Sequence, residues 1–223
     1  MLRKKVCALF FLYKRTLGTP EQVSFLSLPK RSSKLPEVLT EREVHQLLQK
    51  IKVLRYQAIA MVLYGAGLRI EEALQLQVSD IDGERGVIRV RRGKGDKPRE
   101  AKLSPVLYRW LREYWSLTQP PGSYLFASPR TGKLPSKQTV NKALKKAAEE
   151  AWIKKPVHAH ILRHSFGTHL LEHGVDIYVV SALLGHASLS SARRYARVTR
   201  KIIRDVPSPV DLLPQGRPPK PTA

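Results

Sequence analysis

Tyr56-Gln-Ala-Ile-Ala-Met-Val-Leu-Tyr64-Gly65-Ala-Gly67-Leu-Arg69-Ile-Glu-Glu72-Ala-Leu74 decides the fold. Its first half is apolar almost all round, which predicts a buried helix over 56–64 and not a surface one. Gly65 and Gly67 end that helix, since glycine accepts the left-handed backbone that closes a helical turn. A second helix opens near Arg69 and runs through Glu71, Glu72, Ala73 and Leu74. Upstream, Thr40-Glu-Arg-Glu43 is a capping box in which two side chains satisfy each other's free backbone donors. Val44, Leu47, Leu48 and Ile51 follow at helical spacing. Downstream the period changes. Gly86 to Arg92 reads as a strand, Gly93 to Lys97 as a turn and Arg99 to Leu103 as the returning strand. Ser104-Pro105 then caps a helix with Leu107, Trp110, Leu111 and Tyr114 on one face. Further helices are predicted over Ser136–Trp152, Ala159–His173, Asp176–Leu184 and about Ser190–Val198. Pro120-Pro-Gly122 and Ser128 to Gly132 read as loops, Gly18 to Leu35 as a linker, and the Pro-rich tail Pro207–Ala223 as extended chain. The expected fold is mainly α with a small antiparallel β-sheet at one edge, an α+β domain.

Composition narrows the function. The 223 residues carry 40 Lys and Arg against 18 Asp and Glu, a net charge of +22, and 42% are hydrophobic. That is enough apolar material for a core, and the charge points to a polyanion, nucleic acid first. A single cysteine, Cys7, excludes a disulfide framework and a Cys-rich zinc site and suits a reducing cytoplasm. Met1 to Lys5 followed by Val6 to Tyr13 imitates a signal peptide. The apolar run is too short, Lys14-Arg15 interrupt it and no small-residue cleavage site follows, so it reads as an amphipathic helix. No stretch approaches the roughly 18–20 apolar residues of a membrane span.

The chemistry-bearing residues form a pattern. The only tight acidic group, Asp80-Ile-Asp82-Gly-Glu84, reads as a turn in preference to a metal site. His160/His164 and His169/His173 have i,i+4 spacing that can hold zinc, but the HExxH arrangement and further ligands are missing. His160 and Arg163 share a helix face and can address one anion. Phosphoryl transfer without a metal calls for fixed cations, preferably Arg, whose planar fork matches phosphate oxygens. Arg69 after a Gly turn, Arg163, and Lys94 at the tip of Gly93-Lys-Gly95 qualify. Tyr195, flanked by Arg193, Arg194 and Arg197, can attack a phosphodiester as its phenolate.

In this order, Gly65-Ala-Gly-Leu-Arg69-Ile-Glu-Glu72, Gly93-Lys94-Gly, His160-Ile-Leu-Arg163-His-Ser-Phe-Gly-Thr-His169, Leu184-Gly-His186 and Tyr195 closely resemble the tyrosine recombinase/integrase family. The resemblance covers about Leu35 to Thr199. It implies a site-specific recombinase in which Tyr195 forms a covalent 3′-phosphotyrosyl link, without metal, ATP or other cofactor. It further implies that Arg69 and Arg163 clamp the non-bridging oxygens, that His186 donates to one of them, that Lys94 protonates the leaving 5′-oxygen and that His160 helps move the tyrosine proton. Lys97 competes with Lys94 for the acid role, and Glu72 organises the site. Residues 1–35 are expected to be a remnant of an N-terminal clamp domain plus linker, 36–200 the catalytic domain, and 201–223 a tail whose segment Val206–Leu213 docks onto a neighbouring protomer. The implied partners are double-stranded DNA, further copies in a tetrameric synapse and accessory recombination proteins, in a bacterial-type cytoplasm at the nucleoid. A truncated chain that binds DNA without cutting it, and a nicking-closing topoisomerase-like activity, are the alternatives.

Overall fold

The computed structural model describes residues 2–27, 37–91, 98–185 and 206–212. Its contacts divide the chain into two units, Met1–Pro36 and Glu37–Ala223. In the first, helix α1 (Leu2–Phe11) continues through a π-helical turn, Leu12–Thr16. A 3-10 turn, Pro20–Val23, follows inside the stretch expected to be linker, where Pro20 presets the backbone for the first helical position. Val6 and Val23 are buried, whereas Leu9, Phe11, Leu12, Leu17 and Phe25 are exposed.

The second unit is built around α3 (Leu54–Gly65), whose residues from Gln57 to Gly65 are all buried. It packs against α5 (Pro105–Thr118), α6 (Lys137–Glu150) and α7 (Ala159–Glu172). Its buried polar residue Gln57 donates to the carbonyl of Leu48 (2.8 Å), at the end of α2 (Glu41–Lys50), so no polar group is stranded there. The predicted capping box forms. Thr40 Oγ1 accepts from the Glu43 N–H and Glu43 Oε2 from the Thr40 N–H (2.7 Å). Ser104 and Ser136 cap α5 and α6, and Asp176 caps α8 (Ile177–Leu183).

The sheet is small and antiparallel. β2 (Val87–Val90) lies between β1 (Ile81–Asp82) and β3 (Arg99–Lys102), with Ile88 opposite both Ile81 and Ala101. β1 was expected to be part of a turn. Two residues are too few for an alternating pattern, and only their pairing with β2 defines them. Asp80 and Asp82 are used locally, as a turn requires. Asp80 accepts from the Gln77 N–H (3.0 Å) and Arg91 Nε (2.6 Å), Asp82 from the Arg85 N–H (3.0 Å) and Arg89 Nη2 (2.8 Å).

The tail departs from expectation. Pro209–Leu212 forms a 3-10 turn, not extended chain, and it lies on α3, α5 and α7 of its own protein. Ser208 Oγ donates to the Gly65 carbonyl (2.6 Å) and Val210 is buried. A Cβ on Gly65 would stand 3.1 Å from Val210 Cγ1, so the missing side chain leaves the room that the valine occupies. Val210→Ala should therefore cost on the order of 2 kcal/mol, or roughly 4–8 °C in Tm. Thermal unfolding of the variant measures it, and an unchanged Tm would mean the turn is not seated.

A second consequence concerns acid. His169, buried on α7, donates from Nε2 to the Leu39 carbonyl (2.8 Å), so its Nδ1 accepts from the Tyr64 hydroxyl (2.8 Å). Burial holds its pKa below the ordinary 6.5, outweighing the carbonyl of Leu39 and the carboxylates of Glu41 and Glu172. A depressed folded pKa means that the unfolded chain takes up the proton first. The contribution is thus complete above about pH 6.5 and is lost as pH falls through that value. The urea midpoint should drop between pH 7.5 and 5.5, and His169→Gln should shrink the drop.

Candidate active site

The site begins where α3 ends. Gly67 has φ +62°, and a Cβ there would lie 2.5 Å from Phe166 Cδ1, so both the turn and the close approach of α7 require glycine. Two residues later, Arg69 precedes α4 (Ile70–Leu74) with an extended backbone. Its N–H donates to Glu72 Oε2 (2.8 Å) and its Nη1 to Glu72 Oε1 (2.8 Å).

Glu72 is the buried centre. Arg99, from β3, donates Nη2 to Glu72 Oε2 (2.7 Å), and Arg163 Nη1, from α7, stands 3.9 Å from the same oxygen. Burial pushes the Glu72 carboxyl up, but the charge of Arg99 and the hydrogen bonds from Arg69 and Arg99 hold it below the usual carboxylate range. Arg163 is only 3% exposed. Burial and the charges of Arg69 and Arg99 push its pKa down to about 10, which leaves it protonated at neutral pH.

The three arginines have a second set of partners in common. A helix leaves its last carbonyls without helical donors, and here three successive carbonyls at the end of α8 are each met by one guanidinium. Arg99 Nη1 donates to Leu183 O (2.9 Å), Arg163 Nη2 to Leu184 O and Arg69 Nη2 to Gly185 O (3.4 Å). Arg163 Nη1 also donates to the Gly67 carbonyl, joining the end of α3 to the end of α8. Gly185, at φ +62°, leaves no room for a side chain, because its Cβ would fall 2.8 Å from Arg99 Cδ. Three guanidiniums against one carboxylate leave an excess of two positive charges, fixed in place and facing the requirements of an anion.

His160 lies one turn before Arg163 on α7 and is exposed. Its ring packs edge-on against His164 (4.3 Å between centroids) and stands 6.5 Å from that of His158. Partial burial, then the charges of His164 and Arg163, hold its pKa below the ordinary 6.5, so the ring is neutral at pH 7 with one nitrogen free to accept a proton.

Of the sequence-predicted residues, the structure gathers Arg69, Glu72 and Arg163 and sets His160 beside Arg163. Lys94, its competitor Lys97, His186 and Tyr195 lie outside the described residues. Arg99 is an addition, marking in the sequence only the start of a returning strand. Its signal was the register: Arg99 pairs with the buried Val90, and paired residues share a face of the sheet. His169 is occupied by Tyr64 and Leu39, and among the described residues no group of three or more His, Cys, Asp or Glu could hold a metal ion. Among the same residues no helix is long and apolar enough to cross a membrane.

Comparison with known proteins gives this arrangement a family. Residues 37–201 match the phage integrase family. Tyrosine recombinase XerA of Pyrococcus furiosus is 39% identical, over 90% of this chain and 71% of the relative. The crystal structure of XerA recombinase superposes with a TM-score of 0.65 at 32% identity, covering 86% of this chain and 69% of that one. XerH site-specific recombinase, solved bound to a palindromic difH substrate in a post-cleavage complex, gives 0.63 at 29% identity, over 78% of this chain and 54% of that one. The chain belongs to the phage integrase family, the tyrosine-type site-specific recombinases.

The geometry predicts that Glu72→Gln, which keeps the shape and removes the charge, will destabilise the second unit by about 3–5 kcal/mol, because Arg99 and Arg163 are left buried without a counter-charge. Urea unfolding measures the loss. A change below about 1 kcal/mol would show that the carboxylate does not hold the arginines.

Proposed function

We propose that this chain cuts and rejoins double-stranded DNA at specific sites through a covalent 3′-phosphotyrosyl intermediate. The observation that carries the reading is the excess of two positive charges set around Glu72. A phosphodiester brings one negative charge, and the pentacovalent state formed by attack on it brings two. Cations already fixed in position stabilise the second charge without reorganising during the reaction.

In this scheme Tyr195 attacks the scissile phosphorus through its phenolate oxygen, and the bond to the 5′-oxygen breaks. Arg69 and Arg163 bind the non-bridging oxygens, with His186 donating to one of them. The neutral ring of His160 helps take the tyrosine proton, and Lys94 delivers a proton to the leaving 5′-oxygen. One P–O bond is made for each one broken, so the phosphotyrosyl link retains the energy for resealing. A 5′-hydroxyl from a partner duplex can therefore displace Tyr195 with no metal, cofactor or nucleotide consumed. Arg99 holds Glu72 and the end of α8, a positioning role.

The proposal extends to a larger assembly. Four copies on two duplexes would exchange strands, and Val206–Leu213 is the segment proposed to reach a neighbour. Its seat beside Gly65 on its own chain would have to open first. Residues 1–35 supply part of a clamp on the DNA, 36–200 the catalysis and 201–223 the docking tail. Such a substrate would be bacterial-type chromosomal or mobile DNA, met in the cytoplasm at the nucleoid.

The test is a pool of nicked suicide duplexes with randomised arms, resolved by denaturing electrophoresis. The native chain should yield a covalent protein–DNA band and Tyr195→Phe none. Arg69→Ala and Arg163→Ala should each slow adduct formation by about 10²–10³-fold. The yield should fall as acidification protonates His160, at a pH below the ordinary histidine range because its pKa is depressed. A native chain that retards the duplexes but never forms the adduct would establish the binding-only alternative.

A further inference from the structure

Trp152 is 90% exposed, the most solvent-accessible of the large hydrophobic side chains in the described residues. Its backbone is left-handed, with φ +58°. It closes α6 by a paired-turn cap: the Trp152 N–H donates to Glu149 O (3.1 Å) and the Ile153 N–H to Ala148 O (2.9 Å). Glycine usually occupies that position, because any Cβ is strained there. A large aromatic ring is thus held in water, on a backbone that disfavours it, where no packing repays the strain. Strain of this kind persists where a side chain is needed for something outside the fold.

The ring does not stand alone. From Trp152 to His160 burial alternates, with Trp152, Lys154, Pro156, His158 and His160 exposed and Ile153, Val157 and Ala159 buried. Lys155 turns inward to Val38 O (2.8 Å) and Glu43 Oε2 (2.6 Å), and the Ala159 N–H is fixed to Asn141 Oδ1 (2.9 Å). The segment therefore offers one outward row that begins at Trp152 and ends at a candidate catalytic residue. The row contains a lysine and two histidines and no carboxylate. The nearest acids on α6 are matched elsewhere, Glu150 by Lys52 (3.4 Å) and Glu149 by Lys145 (3.9 Å).

We propose that this row is a contact track for the DNA duplex flanking the cut phosphate, with Trp152 as its outer anchor. The indole would lie against a deoxyribose or base edge, while Lys154 and His158 would meet phosphates between it and His160. This rests on the recombinase reading and extends it to the flanking DNA. Aromatic platforms combined with cations suit nucleic acid of any sequence, and a row with a lysine, two hydrogen-bonding histidines and no carboxylate, continuous with the reacting phosphate, fits DNA better than a protein face.

Trp152→Gly separates a contact from an accident of the cap, because the two readings agree on stability and differ on DNA affinity. Glycine relieves the left-handed strain, so Tm should hold or rise in either case. If Trp152 touches DNA, affinity for a short duplex of arbitrary sequence should nonetheless fall about tenfold, with the salt dependence unchanged. Lys154→Gln should lower the slope of log K against log salt by about one. Trp110 is buried, so acrylamide quenching of the native chain reports mainly Trp152 and Trp115. The duplex should protect the component that Trp152→Gly removes. Native-like affinity in Trp152→Gly, or protection that follows protein concentration in the absence of DNA, overturns the track. A native chain that binds no duplex at all overturns the recombinase reading with it.

Discussion

Everything in the candidate site hangs on one buried carboxylate. Glu72 accepts from Arg69 and Arg99 and faces Arg163, drawing guanidiniums from three separate elements to within a few ångströms of each other. Three like charges would not share a desolvated space unaided, and the depressed pKa of Arg163 records first its burial and then their repulsion. The carboxylate lowers the cost but does not cancel the charge. The protein thereby maintains a standing deficit of negative charge at this point.

The same cluster ties the polypeptide together. Residues Leu183 to Gly185 offer their carbonyls to Arg99, Arg163 and Arg69 in turn, and the Gly67 carbonyl receives Arg163 as well. The end of α3, the start of α4, β3, α7 and the end of α8 are therefore joined through a handful of charge-assisted hydrogen bonds. Gly67 and Gly185 serve this network as much as they serve their turns. Each sits where a neighbour, Phe166 or Arg99, passes too close for a side chain. Placement of the arginines and integrity of the fold are therefore one problem.

Much of this was legible in the amino-acid order. Capping at Thr40 and Ser104, the apolar run of α3 and the change of period at Val87 are local signals, written in neighbouring residues, and the structure repeats them nearly to the residue. Arg69, Glu72, His160 and Arg163 stood out because fixed spacings tie them to glycines and to each other. What escaped depends on pairing and packing that no local pattern announces. β1 exists only by pairing with β2. Arg99 matters because its register opposite Val90 turns it toward Glu72. The seat of Val210 needs the space beside Gly65, and composition made the proline-rich tail look extended. Trp152 hid for another reason: a tryptophan at the end of a helix reads as packing, and only its backbone angle and exposure show otherwise.

The seat beside Gly65 bears on how the protein can be handled. Ser208 supplies a donor to a carbonyl at the end of the most buried helix, and Val210 fills the space that the glycine leaves beside it. A stop codon placed before Ser208 would bare that carbonyl and open the flank of α3 to water. For this chain, the folded body reaches at least to the last turn of an apparent tail.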